Sequence, residues 1–353
     1  MYTFSAMKKA SLLFILFGLF AVNSSAQKLD IDKKSITTQM IDLPTKTVDT
    51  TWHNFAYSFK GAEYLSAWGI DEGQVRDQYF KLFGYNSVGS SGDLNLEATL
   101  YPVRIKDFNV QNRTETSKDK SGRTTSTTYY KYVLTYESGF NWKMKDKNGK
   151  EVSDKLQGLI TTGLKKKEGA ESTNYKTAYE EYNNNRAQIN RDIATAEITG
   201  YFRGMYAEMN NQFGYAPYTE RFSIWVVDSK SHPEMEKSKE MMETVKAAFA
   251  NIQTSGVSSS DMEALQPAID YYKSWAEKYK SAEKADAKMR YAAFYNLANI
   301  YLHLDELDTA LEYANLIITN EHEKGDGKDF IKEIEKLREL FNRKRVPARR
   351  FPR

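Results

Sequence analysis

The sequence predicts an α+β domain, an antiparallel sheet with one long helix, followed by an all-helical domain. Two patterns lead to this fold class. Apolar and polar residues alternate from Leu94 to Leu100, which is the two-residue period of strands with one buried face, and Tyr129–Tyr136 is rich in residues that favour strands. After Pro233 the apolar residues recur every three or four positions, which is the period of helices with one apolar face.

The first 26 residues have the features of an export signal. Two lysines precede an uncharged apolar run, Ala10–Val22, and small residues follow up to Ala26. This order predicts a signal peptide over residues 1–26 and a mature chain from Gln27. The alternative is a transmembrane anchor, for which the apolar run is short.

The composition limits the compartment and the partners. The chain has no cysteine, so disulfides, thiolate catalysis and the acylated cysteine of a bacterial lipoprotein are all excluded. Its 50 basic and 47 acidic residues give a formal net charge of +3, and their interspersion does not favour nucleic acid as a partner. We therefore expect an exported protein, periplasmic or extracellular, that is not a lipoprotein and has no transmembrane segment after cleavage.

The α+β domain is expected at residues 27–232. Alternating residues predict strands at Trp52–Phe59 and from Leu94 onward, and Tyr129–Tyr136 is rich in residues that favour strands. The polar tract Gln111–Thr128 is interpreted as a long hairpin tip or a mobile loop. The tyrosines of the later strand either face water as a binding surface or pack against the long helix.

The second half of this domain contains the long helix and one further strand. The polar stretch Tyr175–Asn211 predicts the helix, and the continuous apolar run Phe222–Val227 predicts a strand in the middle of a sheet. Strand patterns end at Asp228–Pro233. We place the boundary to a helical domain of residues 233–342 there.

Five helices are expected in the helical domain. They form a loose pair at Glu234–Ile252 and around Leu265–Trp275, a tight pair within Tyr291–Ile318, and a closing helix at Phe330–Phe341. Small residues in the tight pair, among them Ala298, allow the two helix axes to approach closely.

The tight pair resembles the tetratricopeptide repeat family. The residues at family positions are Phe294, Leu297, Ala298, Tyr301, Leu307, Ala310 and Leu311. Two positions depart from the family, since Ala314 replaces a usual aromatic residue and His322 a usual proline; a generic helical hairpin is the alternative. The resemblance implies a right-handed stack of helix pairs that binds peptides or protein surfaces on its concave face. The groove positions it implies are Tyr295, Asn299 and His303.

No pattern in the sequence predicts catalytic, metal-binding or cofactor-binding residues. The four histidines lie far apart, and the motifs of zinc proteases, calcium loops, serine hydrolases and nucleotide-binding loops do not occur. We therefore expect a non-catalytic binding or scaffold protein of the cell envelope with a protein or peptide partner. The alternatives are an envelope hydrolase with its site in residues 42–230, and a surface structural or adhesive component.

The last eleven residues, Arg343–Arg353, contain six basic residues and no acidic one. Two prolines in this stretch exclude a helix. The stretch is interpreted as a solvated tail. The alternative is a weak contact with an anionic partner or lipid surface.

Overall fold

A computed structural model describes residues 29–153 and 164–351 of the chain, so the expected signal peptide lies outside the described residues. The chain forms two compact units. Unit 1 contains residues 29–40 and 219–340, and unit 2 contains residues 41–153, 164–218 and 341–351. In the described ranges, no helix combines the length and the apolar character needed to cross a membrane.

Unit 2 is built on a five-stranded sheet with the strand order β3–β2–β4–β5–β6. The strands are β2 (Asn54–Lys60), β3 (Asn86–Ser87), β4 (Leu94–Lys118), β5 (Thr124–Asp146) and β6 (Lys165–Glu168). Strand β2 runs parallel to β3 and β4, whereas β5 is antiparallel to β4 and β6. The expected antiparallel sheet is therefore mixed. The reason is a crossover through α1 (Ala62–Ser66) and α2 (Glu72–Tyr79), which returns the chain in the direction of β2.

The β4–β5 hairpin is longer than the sequence predicted. Its pairing continues to Lys118 and Thr124, so most of the polar tract Gln111–Thr128 is strand and not a loop. Threonine suits strands, and hydroxyl pairs join the two strands across this tract. One such pair is Thr114 and Thr128, whose Oγ1 atoms lie 3.0 Å apart.

The long helix α3 (Tyr175–Phe213) packs on the sheet, with a kink at Asn185. Two tyrosines of β5, Tyr132 and Tyr136, contact this helix. The Tyr132 ring lies 5.7 Å from that of Tyr182, and the Tyr136 hydroxyl donates to Glu197 at 3.0 Å. Tyr132 and Tyr136 are buried, and burial raises the pKa of Tyr136 to about 12. These two tyrosines therefore pack against the helix and do not present a surface to water.

The five helices expected after the sheet are present. They are α4 (Met235–Asn251), α5 (Ser259–Lys278), α6 (Lys284–His303), α7 (Leu307–Thr319) and α8 (Lys324–Lys344), the last ending in unit 2. Helices α6 and α7 contact each other through small residues, because Ala298, Ala310 and Ala314 are fully buried.

Unit 1 also contains a two-stranded sheet of β1 (Ile31–Asp42) and β7 (Ala216–Val227). The strands are antiparallel, since Asp228 N–H donates to the Asp30 carbonyl at 2.9 Å and Gln39 bonds Thr219 at 3.0 Å. Residues 219–227 thus belong with the helices, although the sequence pattern grouped them with the larger sheet. Strand β1 was not predicted.

The basic tail packs into unit 2, and the prediction of a solvated tail is wrong. Arg349 is buried, and its carbonyl accepts from Ile41 N–H at 3.1 Å. Phe351 is also buried and meets the Tyr215 ring edge-on at 5.6 Å. Helix α8 continues to Lys344, inside this stretch, and the described residues after it are not helical, but most of them are still packed. The tail's apolar residues drive its burial.

A buried carboxylate joins the start of α4 to the end of α5. Glu234 is 7% exposed and accepts from the hydroxyls of Tyr271 (2.9 Å) and Tyr279 (3.1 Å) and from Lys278 Nζ. Burial alone raises the pKa of Glu234, but the hydrogen bonds outweigh it and hold the pKa below its ordinary 4.5.

Replacing this carboxylate tests its role in stability. We expect Glu234→Gln to lower the free energy of unfolding by about 2 kcal/mol at pH 7, because three donors lose a charged acceptor. A lowered pKa stabilises the fold above pH 4.5 and stops doing so as the pH falls through the folded-state value. The difference between wild type and variant in urea denaturation should therefore shrink in acid. If the exposed control Glu236→Gln lowers the free energy of unfolding by the same amount, Glu234 does not stabilise the fold as described.

Truncating the last aromatic side chain tests the packed tail. We expect Phe351→Ala to lower the free energy of unfolding by about 3 kcal/mol, since a buried ring is removed. The exposed control Arg343→Ala should change it by less than about 0.5 kcal/mol. Thermal unfolding of both variants decides the matter. A solvated tail predicts no difference between them.

Candidate functional site

The predicted groove residues form one row on α6, but the row is not open. Tyr295 is half-buried, whereas Asn299 and His303 are each 5% exposed. The expectation of an open groove is therefore wrong for two of the three positions. The sequence placed them correctly on one helix face but gave no information about what covers that face.

Strand β7 covers this row, and asparagine side chains of α6 bind its backbone. Asn296 is fully buried; its Oδ1 accepts from Trp225 N–H at 2.7 Å and its Nδ2 donates to the Trp225 carbonyl at 2.8 Å. Asn299 Nδ2 donates to the Ser223 carbonyl at 3.1 Å. A carboxamide carries a donor and an acceptor side by side, so it matches the N–H and C=O of one extended residue. Helix α6 therefore recognises extended main chain.

His303 closes the far end of the row as a packing residue. Its ring stacks on Phe222 with centroids 4.1 Å apart and planes at 19°. Its Nδ1 lies 2.8 Å from the carbonyl oxygen of Asn299, and its Nε2 lies 3.8 Å from Glu220 Oε1. These contacts make His303 part of the surface of α6 on which β7 packs.

A cavity of about 330 Å³ opens at the Tyr295 end, between α6 and α8. The residues that line this α6–α8 cavity are Tyr295, Asn299, Leu302, Asp326, Asp329, Phe330 and Glu333. The α8 residues are spaced three and four apart, which places their side chains on one helix face. Apolar rings and three carboxylates therefore share one small space.

The Tyr295 ring connects this cavity to the strands. It meets Phe330 edge-on at 5.2 Å and Trp225 at 6.0 Å. Lys33 of β1 places its ammonium 4.6 Å from the Tyr295 ring centroid and 4.7 Å from that of Trp225. A cation within about 6 Å of a ring centroid is attracted to the ring face. The ammonium group of Lys33 therefore lies beside the two rings at the Tyr295 end of the cavity.

One carboxylate of the cavity is fixed in place. The Tyr291 hydroxyl donates to Asp326 Oδ2. Burial, and then this bond, raise the pKa of Tyr291 far above the ordinary value of tyrosine, so the hydroxyl keeps its proton at neutral pH. Asp329 and Glu333 are exposed along the same face. The sequence signal for these acids is their spacing of three and four residues on α8, whose predicted part, Phe330–Phe341, begins after Asp326 and Asp329.

Unit 2 contains a cavity of about 320 Å³ with two carboxylates, Glu97 and Asp146. Glu97 pairs with Lys145, and Asp146 accepts from the N–H groups of Asn148 (2.8 Å) and Lys150 (3.0 Å) in a turn. Both carboxylates therefore hold local structure. The convergent carboxylates that would favour the hydrolase alternative are therefore not found at this cavity.

Comparison with known proteins adds no assignment: no protein-family model matches the chain, and no curated protein matches it. In residues 29–153 and 164–351, no three histidine or acidic side chains are grouped as metal ligands. The geometry of the α6 row and of the α6–α8 cavity is therefore the basis for the assignment of function.

Removing the Asn296 side-chain amide tests its role in holding β7 on α6. We expect Asn296→Ala to lower the free energy of unfolding by about 2–4 kcal/mol, since it leaves a buried N–H and a buried C=O without a partner. Hydrogen exchange at the Trp225 amide should accelerate more than at other β7 amides. The control Asn315→Ala removes an exposed amide that bonds its own helix, and it should change little. Unchanged Trp225 protection in Asn296→Ala contradicts this role.

Proposed function

We propose that unit 1 is a non-catalytic, tetratricopeptide-like module that binds an extended segment of a partner protein. The observation that supports this most is the binding of β7 by α6. The side chains of Asn296 and Asn299 hold three main-chain groups of that strand. A helix face that binds extended main chain inside the protein has the chemistry needed to bind it from another protein.

The working part of this face is then its open end. Strand β7 contacts Asn299 and His303 of the row, whereas Tyr295, together with Asn299, lines the α6–α8 cavity. We propose that the partner segment enters there. The same proposal includes export, because charged, apolar and small residues follow one another in residues 1–26 as they do in a signal peptide. Among the tail residues that the structure describes, Arg343 and Arg345 are exposed, and we propose them for a weak anionic contact.

A second candidate is an adhesive surface component, and one observation favours it. All side chains from Gln111 to Ser126, which form the outer part of the β4–β5 hairpin, are exposed. A two-stranded ribbon of this kind offers unpaired strand edges to another protein. Self-association that is lost when residues 112–128 are replaced by a short turn supports this candidate over the first.

The absence of native cysteine allows a direct steric test of the binding face. Glu333→Cys places a thiol at the cavity, and Glu335→Cys places one elsewhere on α8; both positions are exposed. A bulky maleimide polymer on position 333 should block the partner, whereas the same polymer on position 335 should not. Unlabelled Glu333→Cys controls for the lost charge.

The readout has two stages. Each form is first used to capture proteins from an extract of the source cells. The captured protein is then purified, and its dissociation constant is measured. We expect labelled Glu333→Cys to bind it at least about tenfold more weakly than labelled Glu335→Cys, a difference of about 1.4 kcal/mol. Equal binding by both labelled forms contradicts the proposed face.

A further inference from the structure

We infer that the α6–α8 cavity binds a lysine or arginine side chain of the partner segment. This inference rests on the proposed function and names the chemistry that the site selects. It combines three observations: the shape of the cavity, its charge, and the position of one of the chain's own ammonium groups.

The shape suits one long side chain. A volume of about 330 Å³ is at the lower end of the range for ligand pockets, which begins at about 300 Å³. Two aromatic rings and Leu302 supply apolar wall. Lysine and arginine bury their methylene stems against such walls while the charged end stays near polar groups. A compact inorganic cation gains nothing from apolar walls, because it has no apolar surface to bury.

The charge suits a cation. The lining residues include three carboxylates, Asp326, Asp329 and Glu333, and no basic side chain. Two ammonium groups lie near the edges of the cavity, Lys336 at 3.8 Å from Glu333 and Lys33 at 4.6 Å from the Tyr295 ring, and they offset part of this negative charge. Carboxylates bordered by apolar walls attract cations more strongly than they do in open water, because field lines concentrate in such clefts.

The third observation comes from Lys33. This residue of β1 already holds an ammonium group 4.6 Å from the ring of Tyr295, which also lines the cavity. The chain thus shows that this ring accepts a primary ammonium in the folded state. The acidic surface and the cation-binding ring are independent features, and both select the same ligand class.

Ligand-detected NMR tests the inference on the full chain without knowledge of the partner. The probes are N-acetyl-lysine methylamide and its neutral counterpart N-acetyl-norleucine methylamide, which share the aliphatic stem. Saturation transfer should reach the lysine probe and be about tenfold weaker for norleucine, the loss expected when charge-assisted contacts are absent. Equal transfer to both probes overturns the inference.

Matched variants place the binding at the cavity. Asp329→Asn with Glu333→Gln removes two exposed charges of the cavity, and Glu335→Gln with Glu339→Gln removes two exposed charges elsewhere on α8. We expect the first pair to lower the lysine signal about tenfold and the second pair to leave it unchanged. An equal effect of both pairs shows nonspecific attraction and overturns the inference.

A third probe separates two sources of the same chemistry. Spermidine is a free polyamine with ammonium groups but no peptide frame. The inference that the ligand is a protein side chain is overturned if saturation transfer reaches spermidine but not the lysine probe, and if the spermidine signal is lost in Asp329→Asn with Glu333→Gln. If the lysine probe fails while labelled Glu333→Cys still blocks the partner, the proposed function stands and only the ligand class is wrong. If the lysine probe binds while that label has no effect, the proposed function fails.

Discussion

The pairing of β7 with α6 is the interaction on which unit 1 depends. A strand that lies on a helix presents main-chain N–H and C=O groups to side chains that are usually apolar, and burying those groups unpaired is costly. Asn296 removes this cost for Trp225, and Asn299 does so for Ser223. The apolar neighbours on β7, among them Phe222, can then pack on α6 and α4. Polar recognition of the backbone thus permits the apolar packing.

This arrangement also decides where a partner can bind. Most of the α6 row is used by the chain itself, so only the Tyr295 end borders open space. In the proposed function, one helix face has both a structural and a binding use. Specificity then depends on α8, because the closing helix contributes the carboxylates at that end. In this proposal, α8 both packs against α6 through Phe330 and supplies the carboxylates of the cavity.

The sequence predicted the features that depend on local periodicity. The five helices, the long helix and the main strands followed from spacings of two, three and four residues. It did not predict β1, because Lys33 and Lys34 interrupt a strand with only one buried face. Nor did it predict the burial of His303 or Arg349, since both depend on partners far away in the chain. The spacing of residues shows which side of a helix or strand is buried, but only the folded structure shows what that side packs against.

The β1–β7 pair sets the order in which unit 1 can assemble. Gln39 and its partner Thr219 are 180 positions apart, so β1 leaves the ribosome long before its partner strand is synthesised. Closing a loop of that length costs entropy before the contact contributes any stability. The strand pair is therefore a late step of folding, and the helices supply the surface on which it forms. A chain that ends before residue 219 has a first strand with no partner, which makes such fragments prone to pair with each other.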